Sequence, residues 1–366
     1  MESTGLIKNI ATIEGKRIDI LLEKGIIKKI SDGHTLEGSI LFDGSDSVVS
    51  TGWIDMHVHA FSDFSPYGDE IDAIGVKQGV TTIVDAGSCG ANRINELYQR
   101  AQQSQTNVLA FINISNIGLE RIDELSNLDW INQHQCIAAC KLYEDMIIGL
   151  KTRISSSVVK GNGVIPLEKA IEISNEISLP IMTHIGSAPP KIEDVIPLLR
   201  KGDIITHYLN GKENNLFDEN GEPLTVLKDA VDRGVYLDVG HGNASFSFKV
   251  AQQARKAHVK FNTISTDIYK KNRVEGPVFS LANVLSKFLC LDYTLKDIIS
   301  AVTTMPAKII DRPELAELKE GVKANLTIFD VSDNKQKLID SDNQIMNSSK
   351  IIKERGVVSN GRFIKL

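Results

Sequence analysis

The feature that most constrains the fold of this 366-residue chain is an alternation in its middle. Eight short apolar runs, at residues 52–59, 81–86, 108–114, 147–154, 180–186, 203–209, 235–241 and 262–268, are separated by helix-like segments. Such strand–helix alternation calls for parallel strands joined by crossovers. Eight units in about 260 residues match the size of a closed (β/α)8 barrel. Among the spacers, 166–177 and 192–200 carry helical patterns. Pro166 suits a first helical turn, where its missing N–H costs nothing.

Both ends of the chain read differently. Residues 6–9, 17–22 and 26–30 look like short strands separated by glycine-containing turns, and 324–330, 351–353 and 355–364 repeat that character at the other end. Asn360-Gly361 between two β-prone runs is a strong hairpin signal.

Composition excludes whole classes. With 42% hydrophobic and 24% charged residues the chain is neither disordered, collagen-like nor coiled-coil. A net charge of −6 makes it a poor binder of nucleic acid or anionic membranes. No apolar run approaches the roughly 18 residues a membrane span needs. The first residues lack a basic segment followed by an apolar stretch, so no signal peptide is expected. Cys89, Cys136, Cys140 and Cys290 are too few for a disulfide framework, and a cytoplasmic protein with reduced thiols is expected.

The residues able to do chemistry sit where the apolar runs end. In Asp55-Met56-His57-Val58-His59 the two histidines are two apart, so on a strand they project from one face. Facing the barrel interior they form two arms of a site for Zn2+ or a similar divalent ion; facing solvent they are an ordinary polar pair. His184 and His207 follow the fifth and sixth runs. Singly, each reads as a satisfied polar residue. Together on consecutive strands, at the rim where such barrels place their active sites, they join the first pair. Asp267 closes the eighth run and reads as a metal ligand and proton acceptor, or as a helix N-cap. Lys151 lies in an otherwise apolar run, which is costly unless the lysine is paired or modified. An ordinary salt bridge is one reading. Carboxylation by CO2, which turns the amine into an anion with two oxygens, is the other.

This constellation resembles the amidohydrolase superfamily, whose pattern is H-x-H on strand one, carboxylated lysine on four, histidine on five and six and aspartate on eight. A narrower similarity is to its deacetylase-like and dihydroorotase-like members. It rests on Gly149-Leu150-Lys151-Thr152-Arg153, His184-Ile185-Gly186-Ser187-Ala188-Pro189-Pro190, His207-Tyr208-Leu209-Asn210-Gly211-Lys212, Asp238-Val239-Gly240-His241-Gly242 and Ser265-Thr266-Asp267-Ile268-Tyr269. The resemblance implies an α/β fold, a TIM barrel over residues 51–314 with a small β-sandwich built from 1–50 and 315–366. The stretch 321–330 looks like the family's return to that sandwich, with Asn325 where aspartate is usual. It also implies two divalent metal ions, zinc being expected. His57, His59 and Asp267 would hold one, His184 and His207 the other, with carboxylated Lys151 and a hydroxide bridging them. The hydroxide would attack a polarised carbonyl while Asp267 moves a proton to the leaving group.

Arg153 lies two residues past Lys151 on the same strand face, where it could grip a substrate carboxylate or serve a structural ion pair. His241, between glycines that permit close approach, reads as a substrate contact or as a supporting residue. Asn210, Lys212, Tyr269 and Arg273 are rim-loop candidates; His34, His134 and His258 read as surface residues. The leading reading is a binuclear metal-dependent amidohydrolase or deacetylase that removes an N- or O-acyl group from a small carboxylate-bearing molecule. Cyclic-amide hydrolysis is second. The dihydroorotase-like pattern would place an arginine where Phe61 stands. Adenine deamination is weaker, since those aminohydrolases lack the bridging lysine. A non-catalytic binding barrel would leave these groups converging to no chemical purpose. The expected partner is a small molecule, with no nucleic acid or membrane. Barrels of this size often associate, which leaves a homo-oligomer open.

Overall fold

A computed structural model describes residues 2–366. Seven parallel strands, Trp53–Val58, Val80–Ala86, Asn107–Asn113, Ile147–Ile154, Ile181–Ile185, Ile204–Thr206 and Tyr236–Asp238, are hydrogen-bonded in chain order. The eighth expected run closes the ring through parallel bridges at Asp238–Thr263 and Val58–Ile268. It is too irregular for a continuous strand because Asp267 sits at a left-handed φ of 51°.

Two apolar layers explain why the runs are nearly continuous rather than alternating. Ile54, Met56, Val84, Phe111, Ile148, Met182 and Ile204 form one buried cluster that fills the barrel. Trp53, Ile83, Ile112, Leu150, Ile181 and Ile205 belong to the cluster shared with the surrounding helices. Strands covered on both faces must be apolar on both. Helix Ile165–Ile177 opens with its proline in the first turn. The segment expected to be helical over 192–200 is shorter: one α-turn, Ile192–Val195, gives way to a 3-10 turn, Ile196–Leu198. Pro197 cannot donate the hydrogen bond that would continue the α-helix.

Strands from both termini, Gly5–Ala11, Arg17–Glu23, Ile26–Asp32, Ile40–Asp43, Val48–Thr51, Leu326–Ile339, Ile345–Ser359 and Arg362–Lys365, form one eight-stranded sheet. It encloses its own core of Ile7, Ile20, Leu22, Val49, Leu326, Ile328 and Val358. The ring of Phe42 meets that of Phe363 at 6.2 Å, so distant parts of the sheet face one another. Asn360 and Gly361 both have positive φ, 49° and 76°, as a two-residue hairpin turn requires.

The hairpin of Leu326–Ile339 and Ile345–Ser359 runs well beyond the β-prone stretches of the tail. Its middle, residues 333–337 on one arm and most of 347–350 on the other, is polar and exposed, so no burial alternation marks it in the sequence, while Leu338 near the tip is buried against the barrel. The arms are held by pairing with each other and reach from the terminal sheet to the barrel. Among the described residues no helix is long and apolar enough to cross a membrane.

Candidate active site

The site forms where the strands end. In the first strand the register shifts between Asp55 and Val58, the kind of irregularity that re-aims side chains at barrel rims. His57 and His59 turn inward, with ring centroids 5.5 Å apart. Lys151, fully buried in the fourth strand, brings its Nζ to 3.0 Å from His57 Nε2. His184 on the fifth strand packs against His207 after the sixth, with ring centroids at 4.4 Å. His207 and Asp267 both adopt left-handed φ, 69° and 51°. That conformation is uncommon for such residues and costs roughly 1 kcal/mol or more, so the surrounding packing must hold it. Gly240 and Gly242 are required beside them: a Cβ at Gly240 would strike Thr206 and His207, and one at Gly242 would strike Asp267.

All six residues selected from the strand ends therefore meet at one place. Asp267 Oδ1 lies 3.1 Å from His59 Nε2 and 3.5 Å from His57 Nε2. Ligand atoms of His57, His207 and Asp267 all fall within 4.8 Å of one another. This trio draws on both of the ligand sets expected from sequence.

The hydrogen bonds behind the histidines fix which nitrogen is free. His57 Nδ1 lies 2.9 Å from Thr206 Oγ1, whose hydroxyl donates to Asp238 at 2.7 Å. That hydroxyl has spent its proton, so His57 Nδ1–H is the donor and Nε2 keeps its lone pair. His207 Nδ1 donates to the Gly240 carbonyl at 2.6 Å, and its Nε2 is buried with no partner. His59 Nδ1 meets Ser88 Oγ at 3.0 Å. Burial pushes the imidazoles of His57, His184 and His207 well below their ordinary range, so they stay neutral and able to ligate. Burial alone would raise the Asp267 carboxyl; the imidazoles of His57 and His59 reverse this and hold it below the usual carboxylate range. Burial brings the Lys151 amine down to about 7.

An orphaned, buried imidazole nitrogen beside three more histidines and one carboxylate is a donor set that fits a divalent ion of the zinc type. Metal ions are also what would satisfy His207 Nε2 at little cost, since an unpaired buried polar atom otherwise costs about 1–3 kcal/mol.

A cavity of about 160 Å³ opens over this cluster. Arg153 and Lys212 line it, with Ser155, Ser157, Ser187, Asn243 and Ser245 supplying further polar groups. Arg153 donates to Glu124 at 2.9 Å, and its guanidinium lies 5.6 Å from the Tyr67 ring centroid. Glu124 is itself fully buried. Lys212 is half-buried without an ion-pair partner among the described residues, and burial lowers its amine from the ordinary lysine value.

The other sequence candidates have different places. His241 is buried outside the cavity lining, with Nδ1 on the Gly242 carbonyl at 2.7 Å and Nε2 on Lys287 Nζ at 2.8 Å. Asn210 spends its amide on the His207 carbonyl and the Lys212 N–H, shaping the turn that presents Lys212. Tyr269 packs edge-on against Tyr67 behind the lining, and Arg273 pairs with Asp69 at 2.6 Å. His34, His134 and His258 are exposed. Glu124, Tyr67, Asn243 and the four serines went unread in the sequence because they are common polar residues scattered over the segments that follow five different strands, with no spacing that groups them as a set. Lys287 did leave a signal: it is a lysine on the apolar face of Leu281–Cys290, beside Val284 and Phe288.

No family model matches the chain. A deacetylase of Enterococcus faecalis is 40% identical over 92% of this chain and 92% of its own length. Among solved structures, one described as an adenine deaminase superposes with a TM-score of 0.94 at 37% identity, covering 99% of both chains. Another, described as a dihydroorotase, gives 0.92 at 29% identity over 99% of both.

Proposed function

The chain belongs to the amidohydrolase superfamily, among its deacetylase-like and dihydroorotase-like metal-dependent hydrolases, and from that premise we propose that it removes an acyl group, N- or O-linked, from a small carboxylate-bearing molecule. It is a hydrolase acting on carbon–nitrogen bonds other than peptide bonds. The observation that carries the narrower reading is the placement of Arg153 and Lys212 in the same small cavity as the ligand cluster. A guanidinium and an amine lining the same cavity suit an anionic substrate better than neutral adenine. Phe61, at the position where an arginine would favour cyclic-amide hydrolysis, is fully buried against Phe64 with ring centroids at 4.8 Å and does not reach the cavity.

His57, His59, His184, His207 and Asp267, together with Lys151 once carboxylated, would hold the metal ions. Divalent ions bound there supply Lewis acidity, polarising a carbonyl and bringing the pKa of water to about 7. Asp267 Oδ1 converges with the Nε2 atoms of His57 and His59, where it would join them as a metal ligand, so Oδ2 is the oxygen left to take a proton from the nucleophile and return it to the leaving group. Arg153, held by Glu124 and the face of Tyr67, and Lys212, held by the Asn210 turn, orient the substrate carboxylate. Free cysteines and the net charge of −6 support a cytoplasmic location with no nucleic-acid or membrane partner, and zinc is the ion the donor set favours.

The test is a panel of N-acetyl and O-acetyl amino and hydroxy acids of both hands, with cyclic amides and adenine alongside and metal measured on the same sample. We expect metal-dependent release of acetate from one hand of the acylated acids. Arg153→Met and Lys212→Met should each raise KM for charged substrates more than for their amides. Turnover confined to adenine or to cyclic amides would overturn the proposal.

A further inference from the structure

One wall of the cavity is built by the loop after the seventh strand, which contributes Asn243, Ala244 and Ser245. Asn243 and Ala244 are exposed at the mouth, yet the loop is tied down on two sides. On one side is the tip of the long C-terminal hairpin, residues 340–344, far from the cavity in sequence. Ser341 Oγ donates to the carbonyl of Gly242 at 3.0 Å and lies 3.3 Å from that of His241. Its backbone N–H donates to the Phe246 carbonyl at 3.0 Å, and Phe246 N–H returns a bond to Ser341 Oγ at 3.3 Å.

Asp340 shapes the tip and docks it. One carboxylate oxygen accepts from the N–H groups of Asp342 and Gln344, at 2.9 and 2.8 Å; the other accepts from Phe248 N–H at 2.8 Å. Phe248 is the first residue of helix Phe248–Lys256, whose own N-cap, Ser247, makes no side-chain capping bond. The hairpin therefore caps a barrel helix from outside the barrel. Gly211, next to Lys212, leaves room for the same tip: a Cβ there would collide with Asp342 Oδ2. On the other side of the loop, His241 stacks on Phe246 with centroids at 4.5 Å and receives Lys287.

We propose that the hairpin tip, through Ser341 and Asp340, is a positioning element of the catalytic site: it fixes the 242–245 wall and so sets which side group a substrate carries. This rests on the cavity being the catalytic site, as proposed above. Neither residue touches the cavity. They act through the wall, and misplacing a positioned group by about 1 Å is enough to cost rates of the order of 10²-fold.

The experiment compares Ser341→Ala, Ser341→Thr and, as a control on the exposed arm, Lys335→Ala. Hydrogen exchange followed by mass spectrometry on the metal-loaded enzyme reads the wall directly. We expect peptides covering 240–248 to exchange about tenfold faster in Ser341→Ala, with the threonine variant restoring protection and Lys335→Ala unchanged. Metal content should be equal in all. With two acylated acids differing in side-group size, the ratio of their kcat/KM values should change by about tenfold in Ser341→Ala, through KM more than kcat. Unchanged exchange at 240–248 in Ser341→Ala would overturn the proposal. So would an equal loss for both substrates. If the panel yields no acylated substrate, the functional proposal fails, while the exchange arm still decides the role of the tip.

Discussion

Lys151 is buried, its amine in hydrogen-bond contact with His57 Nε2 at 3.0 Å and the Met182 sulfur at 3.6 Å, and that burial is what prepares it for chemistry. With its pKa brought down to about 7, the amine is neutral and nucleophilic above that pH, the state that reacts with CO2. Metal reconstitution of the stripped protein in bicarbonate should accelerate as pH rises through about 7 and stall below it; a rate independent of pH would argue against a carboxylated lysine. Lys151→Ala should lose activity and regain part of it with added short carboxylic acids. Asp267→Asn keeps the shape and removes the base, so turnover should fall by about 10²–10⁴ with metal largely retained. Unchanged turnover in that variant would remove Asp267 as the proton carrier. These residues were legible because each ends or interrupts an apolar run. The hydroxyls that orient them, Thr206 and Ser88, were not, since a threonine or serine on a strand carries no signal of its own.

At the scale of elements, the helix Leu281–Cys290 joins the hairpin to the site. Ser286 Oγ accepts from Ile352 N–H at 2.9 Å, and the next residue, Lys287, reaches His241 and the Pro277 carbonyl at 2.7 Å. Burial lowers the Lys287 amine to about 7, against about 10.4 for a free lysine. Between these values the unfolded chain binds a proton that the folded one does not, so stability rises with pH across that window and the cost is fully present below it. Chemical denaturation of wild type and Lys287→Met should show wild type gaining on the variant as pH climbs from about 7 to 10. A constant difference would mean that Lys287 is charged in the fold. Asp340→Ala removes an inter-element helix cap and should cost about 1–2 kcal/mol of unfolding free energy by the same method. The barrel strands were readable because burial on both faces makes them apolar throughout. The outer parts of the hairpin arms, beyond residue 330 and before residue 351, were not, because a largely exposed ladder needs no apolar pattern.

Across the whole molecule, the terminal sheet and the barrel are one functional object. The chain leaves the sheet after Thr51, builds the barrel, returns to the sheet at Leu326 and sends its hairpin back to the barrel rim. The order of ligands along the chain was visible in the sequence because the barrel places successive strand ends side by side. The convergence of a C-terminal hairpin on the seventh-strand loop was invisible, because it depends on how the sheet packs and on no local pattern. Charge did not identify the function; it only argued against nucleic acid and anionic membranes as partners.

The central claim is that the histidine, lysine and aspartate cluster is a metal centre that performs hydrolysis. Metal analysis of the purified protein with activity on the same sample tests it most directly. The account predicts about two divalent ions per chain, falling in Lys151→Ala, and acetate-releasing activity that disappears on chelation and returns when the ions are restored. Hydrolysis that persists undiminished in chelated, metal-free protein would contradict it.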